Sequence, residues 1–161
     1  MADIVITIPI ADVYKEVARR SSIATETDPF YANMSTEKKQ LSQLHGEGDR
    51  ITADLTKEAV KEVQKAYLKR QGDVTGAAFE YDLANSKNIV YRFAENTSPL
   101  AAPQTAAITK RLTDNTRDAI IYYILVSLYR TDGNVKKETE LLAKALELID
   151  NLSSDLYKLH D

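Results

Sequence analysis

Residues 119–134 read AIIYYILVSLYRTDGN, and this stretch decides the fold. From Ala119 to Val126 every side chain is apolar or aromatic, so a helix here has no polar face and must be enclosed by protein. We predict that this helix runs from about Pro103 to Thr131. Pro103 suits its first turn, where a missing N–H costs no hydrogen bond. The composition of Asp132-Gly133-Asn134 predicts a tight turn at the other end.

A last helix is predicted from about Val135 to Leu159. Apolar residues follow each other there at steps of three and four, which is the spacing of a heptad seam: Leu142, Ala145, Ile149, Leu152, Leu156 and Leu159. Leu141 and Leu148 widen this face, as in a bundle helix that touches more than one neighbour. The short turn forces this helix to fold back antiparallel on the preceding one.

Three more helices are predicted nearer the N-terminus. The first begins near Asp12 and fades near Ser21, and the second is capped by Ser35 or Thr36 and ends by His45. Between them, residues 25–34 are predicted to form a loop. The third runs from about Asp49 to Gln71, with an inward stripe of Ile51, Leu55, Ala59, Val63, Ala66 and Tyr67.

The Asp49–Gln71 helix also carries lysines at every fourth position, among them Lys57, Lys61 and Lys65, so they share one face. One interpretation is a solvated face with weak ion pairs to neighbouring glutamates. The other is a docking stripe for an acidic partner.

Two stretches with period-two alternation, Phe79–Leu83 and Ile89–Phe93, predict a β-hairpin around the turn residues 85–88. A three-residue loop, which puts Asn88 in the left-handed conformation, would pair Leu83 with Tyr91, Tyr81 with Phe93 and Asp82 with Arg92. That register places every large apolar residue on one face.

A two-stranded hairpin is marginally stable alone, so its aromatic face must pack on something. The chain's own helices and a neighbouring subunit are both open as partners. Residues 4–8 are β-branched and predict an extended N-terminal segment. The fold class is thus mainly α: one domain over residues 1–161, an antiparallel helical bundle with a protruding hairpin at about 77–94.

The sequence offers little for catalysis. The chain has no cysteine and two histidines, which excludes thiolate chemistry and leaves no spacing typical of a metal site. Its glycines form no phosphate-binding loop. We therefore predict no catalytic, cofactor-binding or metal-binding residues, no cofactor and no enzymatic activity.

Net charge and hydropathy indicate whether nucleic acid or a membrane is a partner. With 21 basic and 24 acidic residues the net charge is -3, which favours at most weak contact with nucleic acid. The longest apolar run is far shorter than the roughly 20 residues that a membrane-spanning helix needs. We expect a soluble, intracellular protein without membrane contact.

Taken together, three stretches resemble one family. The opening Ile4 to Tyr14, the helix–hairpin–helix middle and the closing helical pair around Gly133 are similar in layout to the head–tail connector proteins (neck ring, or adaptor) of tailed bacteriophages. The chain looks most like those of crAss-like phages and Bacteroidales prophages.

The resemblance implies a structural virion protein of the neck, made in the host bacterial cytoplasm. It implies a homo-oligomeric ring, usually twelve-fold, beneath the portal, which joins capsid to tail and helps form the DNA ejection conduit. Implied partners are the portal protein and other neck or tail proteins, with only weak, transient contact with passing DNA. An alternative is an intracellular helical protein-binding or regulatory module.

A ring needs a contact surface on each subunit. The candidate interface residues belong to the hairpin, the N-terminal segment and the lysine stripe: Phe79, Tyr81, Leu83, Tyr91, Phe93, Ile4, Ile6, Ile8, Lys57, Lys61 and Lys65.

Overall fold

A computed structural model describes residues 3–46, 48–70, 78–81, 88–95 and 102–160, and the side chains of 5–46, 48–66, 88–91, 103–152, 154 and 155. The predicted fold class is confirmed: the protein is mainly helical, with a small antiparallel sheet that contains the hairpin. The elements are β1 (Asp3–Pro9), α1 (Ile10–Thr27), α2 (Thr36–Leu41), α3 (Arg50–Arg70), β2 (Ala78–Tyr81), β3 (Asn88–Glu95), α4 (Ala102–Asp132) and α5 (Val135–His160).

The apolar half of α4 is the centre of the molecule, as its composition predicts. Ala119, Ile120 and Ile124 have no exposed surface, and α1, α3, α5 and β1 all pack around this helix. Only Tyr122 and Tyr123 in this stretch are half-buried. The helix that lacks a polar face is therefore enclosed by the chain's own elements.

The turn between α4 and α5 is a Schellman motif. The Asn134 N–H donates to the Tyr129 carbonyl at 2.9 Å, and the Gly133 N–H donates to the Arg130 carbonyl at 3.2 Å. Gly133 has φ +79°, a conformation that glycine adopts without steric cost. The Asn134 Oδ1 then accepts from the Lys137 N–H at 3.3 Å and caps α5. The turn thus ends one helix and starts the next within two residues.

The predicted seam of α5 faces the core. Ala145, Ile149 and Leu152 are buried, and Leu141 and Leu148 pack partly against the core. Leu142 is half-buried. The side chains of Leu156 and Leu159 lie outside the described residues.

The inward stripe predicted for α3 is wrong at its start. Ile51 is 57% exposed, whereas Thr52 and Thr56 are fully buried. The Thr52 hydroxyl donates to the Asp49 carboxylate at 2.6 Å, and the Thr56 hydroxyl donates to the Thr52 carbonyl at 2.7 Å. Because these bonds satisfy the hydroxyls, threonine methyl groups can face the core here. The later positions Ala59 and Val63 are buried as predicted, and Tyr67 lies outside the described side chains.

Helix α1 continues past the predicted end at Ser21, as far as Thr27. The hydroxyls of Ser21 and Thr25 donate to carbonyls three residues earlier in the same helix, so these polar residues do not terminate it. Helix α2 is capped by Ser35, as expected, but ends at Leu41 rather than His45.

The sheet has three strands in the order β1-β3-β2, so the N-terminal segment joins the hairpin. The predicted hairpin register is wrong by four residues: Tyr91 pairs with Phe79 rather than Leu83, and Arg92 pairs with Ala78 rather than Asp82. Asn88 does not adopt the left-handed conformation. The shift is an even number, so the residues that the prediction placed on one sheet face remain together.

The hairpin was expected to protrude, but its described core, residues 88–91, is part of the globule. Ile89 and Tyr91 are buried, and the Tyr91 hydroxyl donates to the Val60 carbonyl of α3 at 3.1 Å. On the other side of β3, Ile6 and Ile8 of β1 stand opposite Tyr91 and Ile89. The sequence left two packing partners possible for this face, the chain's own helices and a neighbouring subunit. For Ile89 and Tyr91 the structure shows packing within the chain.

Candidate interaction surfaces

Three of the predicted interface residues are part of the core. Ile6, Ile8 and Tyr91 are each at most 1% exposed, so their side chains offer no surface to another subunit. The prediction assigned them to an interface because a hairpin and an N-terminal strand each lack a partner when taken alone. Pairing β1 with β3 lets both strands bury one shared face beneath α3 and α4.

For most of the other apolar candidates the structure describes the backbone but not the side chain. Ile4 pairs with Phe93 in β1 and β3, while Phe79 and Tyr81 belong to β2. Their side chains, and Leu83 altogether, lie outside the described residues.

The three lysines are exposed on α3. Lys65 lies 3.5 Å from the Glu62 carboxylate, with both side chains more than half exposed. A pair of this kind contributes about 0–1 kcal/mol. The lysine stripe is therefore accessible to solvent and to a partner.

The most extended recess on the described surface is a groove of about 570 Å³ between α3 and α5, with α4 as its floor. Its apolar part is formed by Ala59, Val126, Leu142 and Leu146. Leu146 is 48% exposed, whereas Ala145, Ile149 and Leu152 of the same helix are buried. Leu146 thus adds a half-exposed apolar side chain beside the apolar residues that line the groove.

The rim of this groove is charged, with Lys61, Lys65 and Arg130 against Glu58 and Glu62. Arg130 Nε lies 2.7 Å from the Glu138 carboxylate, and Lys65 is the partner of Glu62. The groove thus joins the lysine stripe of α3 to the exposed side of α5, with basic and acidic groups both at its edge.

A second recess, of about 480 Å³, lies between α1 and α4 and is polar. Glu16 is its central carboxylate: hydrogen bonds from Arg19 and then from Arg20 lower the pKa of Glu16 from 4.5 to about 2. On the α4 side Arg117 contacts Asp118 at 3.3 Å. The charges here are thus matched in pairs within α1 and within α4, and Arg20 also contacts α4 through the Tyr122 ring.

Tyr122 links three helices next to this recess. The Arg20 guanidinium lies 5.3 Å from the centre of its ring, and the Lys144 ammonium lies 6.0 Å from the same ring. Cation–π contacts of partly exposed groups contribute about 0.5–1 kcal/mol each. The half-buried tyrosine thus has a structural role between α1, α4 and α5.

Within the described residues no group of three or more His, Asp or Glu side chains is placed to hold a metal ion. In the same part of the chain no helix is both long and apolar enough to cross a membrane.

The groove was not predicted, although one signal for it exists in the sequence. Leu146 falls one position after Ala145 and lies outside the heptad seam, so an ideal bundle helix would carry a polar residue there. Tyr123 and Arg130, which also line the groove, come from α4 and are adjacent to α3 only in the folded chain.

Comparisons with known proteins give no match: no family model, no curated protein and no solved structure resembles the chain significantly.

Proposed function

We propose that the protein is a structural virion subunit, one copy in a head–tail connector ring beneath the portal, and that it acts by protein contacts without catalysis. Its partners are further copies of itself, the portal protein and other neck or tail proteins. The layout of the N-terminal segment, hairpin and closing helical pair, which resembles that family, supports the specific assembly.

The observation that carries the proposal is the groove between α3 and α5. It combines an apolar floor, the half-exposed Leu146 and a charged rim that includes Lys61. Central apolar anchors surrounded by charged groups are the usual make-up of a protein–protein contact surface. The net charge of -3 supports only weak contact with DNA, which suits a conduit through which DNA must pass.

A second candidate is an intracellular helical module that binds one protein partner and does not form a ring. The enclosure of residues 119–126 by the chain's own helices favours it, because a chain with a complete core is able to fold without neighbours. The same groove then serves as the binding site, in the helix-in-groove manner.

Co-expression with the portal protein encoded in the same genome separates the two candidates. The purified protein is measured by mass photometry, alone and with the portal, and portal-bound samples are imaged by negative stain. We expect a closed ring of copies seated on the portal. A chain that neither binds the portal nor forms a closed ring contradicts the connector assignment, and binding of one other partner in single copies then supports the module.

A further inference from the structure

The three-stranded sheet has two different outer edges. In the order β1-β3-β2, strand β3 is central, and β1 and β2 each have one described strand neighbour. An outer strand directs alternate N–H and C=O groups away from the sheet, and these groups are able to pair with a strand of another chain.

The interior of strand β1 carries none of the sequence features that protect many edge strands. Residues 4–8 are all β-branched and uncharged, its proline is at its end (Pro9), and its one register irregularity lies at its start, between Asp3 and Ile4. Natural edge strands normally carry a lysine, a proline or a bulge in their interior. Since Ile6 and Ile8 are buried, what β1 offers to a partner is its backbone edge together with Val5, which is 36% exposed, and the exposed Thr7.

We infer that the edge of β1 receives strand β2 of a second copy of this chain. The inference rests on the proposed ring and specifies how neighbouring subunits join. Contact of β1 with β1 would be isologous and would stop at two copies, whereas contact of β1 with β2 is heterologous and continues until a ring closes.

The geometry of the sheet suits this pairing. Both β1 and β2 are antiparallel to β3, so they run in the same direction, and copies in the same orientation bring them together as a parallel pair. The four residues of β2 fit within the seven of β1. The apolar face that holds Ile6 and Ile8 then continues into the apolar face of the next sheet, and the short strand β2 gains a second neighbour.

Cysteine cross-linking tests the contact directly, because the chain has no cysteine of its own. Thr7 and Glu80 both pair with Val90, so they lie in one row on the same sheet face. Strands that pair have Cα atoms about 5 Å apart, which is within the range of a disulfide. The variants are Thr7→Cys, Glu80→Cys, the double variant, and a second double variant with Val5→Cys in place of Thr7→Cys to allow for a shifted register.

Under mild oxidation of the assembled protein, we expect at least one double variant to give a series of covalent multimers on a non-reducing gel, while each single variant stays monomeric. Dimers from Thr7→Cys alone would overturn the inference, because they indicate a β1–β1 contact. Rings without any cross-link would overturn it and leave the proposed function intact. A chain that stays monomeric, alone and with the portal, overturns both.

A charge at the edge provides a second test. Thr7→Lys places an ammonium on the exposed face of β1, and we expect self-association to weaken by about tenfold or more, measured by mass photometry. Ile51→Lys is the matched control, since Ile51 is also exposed but lies on α3, and it should assemble normally. Equal thermal melting of both variants shows that folding is intact, and unchanged assembly of Thr7→Lys contradicts the inference.

Discussion

At the scale of single residues, one cluster of hydrogen bonds joins residues 28–31 to residues 132–134. Tyr31 is fully buried, and its hydroxyl donates to the Asp132 carboxylate at 2.8 Å across 101 residues of sequence. The Asn134 amide donates to the Asp28 carboxylate at 3.1 Å. These bonds connect the segment after α1 to the turn between α4 and α5.

Tyr31→Phe tests this connection. It removes one hydrogen bond to a charged group, and we expect a loss of about 1–3 kcal/mol in the free energy of unfolding, measured by urea denaturation. Tyr129→Phe is the matched control, because Tyr129 is also buried but no hydrogen bond of its hydroxyl is found among the described residues. Equal losses in the two variants would show that the bond to Asp132 contributes nothing specific.

The same tyrosines predict a loss of stability in alkaline solution. Burial raises the pKa of Tyr129 from 10.0 to about 12, and burial also raises the pKa of Tyr31 well above 10.0. A group whose pKa is higher in the folded state stabilises the protein fully below its unfolded pKa. We therefore expect these tyrosines to leave the free energy of unfolding unchanged up to about pH 9 and to make it fall from pH 10 to 12. Tyr129→Phe should reduce this fall. A free energy of unfolding that stays constant from pH 9 to 12 in the unsubstituted protein would contradict the prediction.

The residues of this cluster were only partly predictable. The composition of residues 132–134 predicts their turn, because glycine and asparagine favour turn conformations by themselves, without distant contacts. Their bonds to Tyr31 and Asp28 depend on how α1 packs against α4. These residues are more than 100 positions apart, so a local sequence pattern does not predict the contact.

At the scale of elements, the sequence pattern of the hairpin predicted the sheet face of each residue but not the register of the strands. Period-two alternation predicted which residues of the hairpin share a face, and that grouping holds. Alternation is unchanged when the register shifts by an even number of residues, so the predicted register depended on the assumed loop length. That length did not hold, because Tyr81 pairs with Ile89 rather than Phe93.

Buried threonine and serine hydroxyls misled the prediction of helix faces and helix ends. In α3 the inward residues Thr52 and Thr56 were missed, and in α1 Ser21 was taken as an end signal. Each hydroxyl is satisfied by a nearby backbone or carboxylate oxygen, which makes the residue acceptable in the core.

Ser21 provides a test at this scale. Its Oγ accepts from the Leu44 N–H at 2.9 Å and so holds the segment before α3 against α1. Ser21→Ala leaves that buried N–H without its partner, and we expect a loss of about 1–3 kcal/mol in the free energy of unfolding. Ser22→Ala, on the half-buried neighbouring position, should change it by less than about 0.5 kcal/mol. Equal values for both variants would contradict the role of this bond.

At the scale of the whole molecule, the accessible lysines were predicted correctly as surface residues, while the groove beside them was not predicted. The groove depends on the packing of α3 and α5 on either side of α4, which is a property of the assembled bundle. Similarly, Ile6 and Ile8 were assigned to an interface because the partner strand of β1 was not identifiable from the sequence.

Leu146→Glu tests whether the groove binds a partner. The substitution adds a charge at an exposed position, so stability should change by less than about 0.5 kcal/mol. Affinity for the portal, measured by biolayer interferometry, should fall by at least about tenfold, which corresponds to about 1.4 kcal/mol. Leu41→Glu on α2 is the control, since Leu41 is even more exposed and lies outside the groove. Unchanged affinity of Leu146→Glu would exclude the groove as the contact.

The pairing of β1 with β3 has a consequence for how the chain is made. During translation β1 is made before its partner β3, which follows only after α1, α2 and α3. At about 5–20 residues per second, that delay is roughly 4–17 s. During this time the β-branched residues 4–8 are exposed without a strand neighbour, which is a hazard for aggregation. Slower translation between the first strand and the third prolongs this exposure, so we expect it to increase aggregation of the nascent chain.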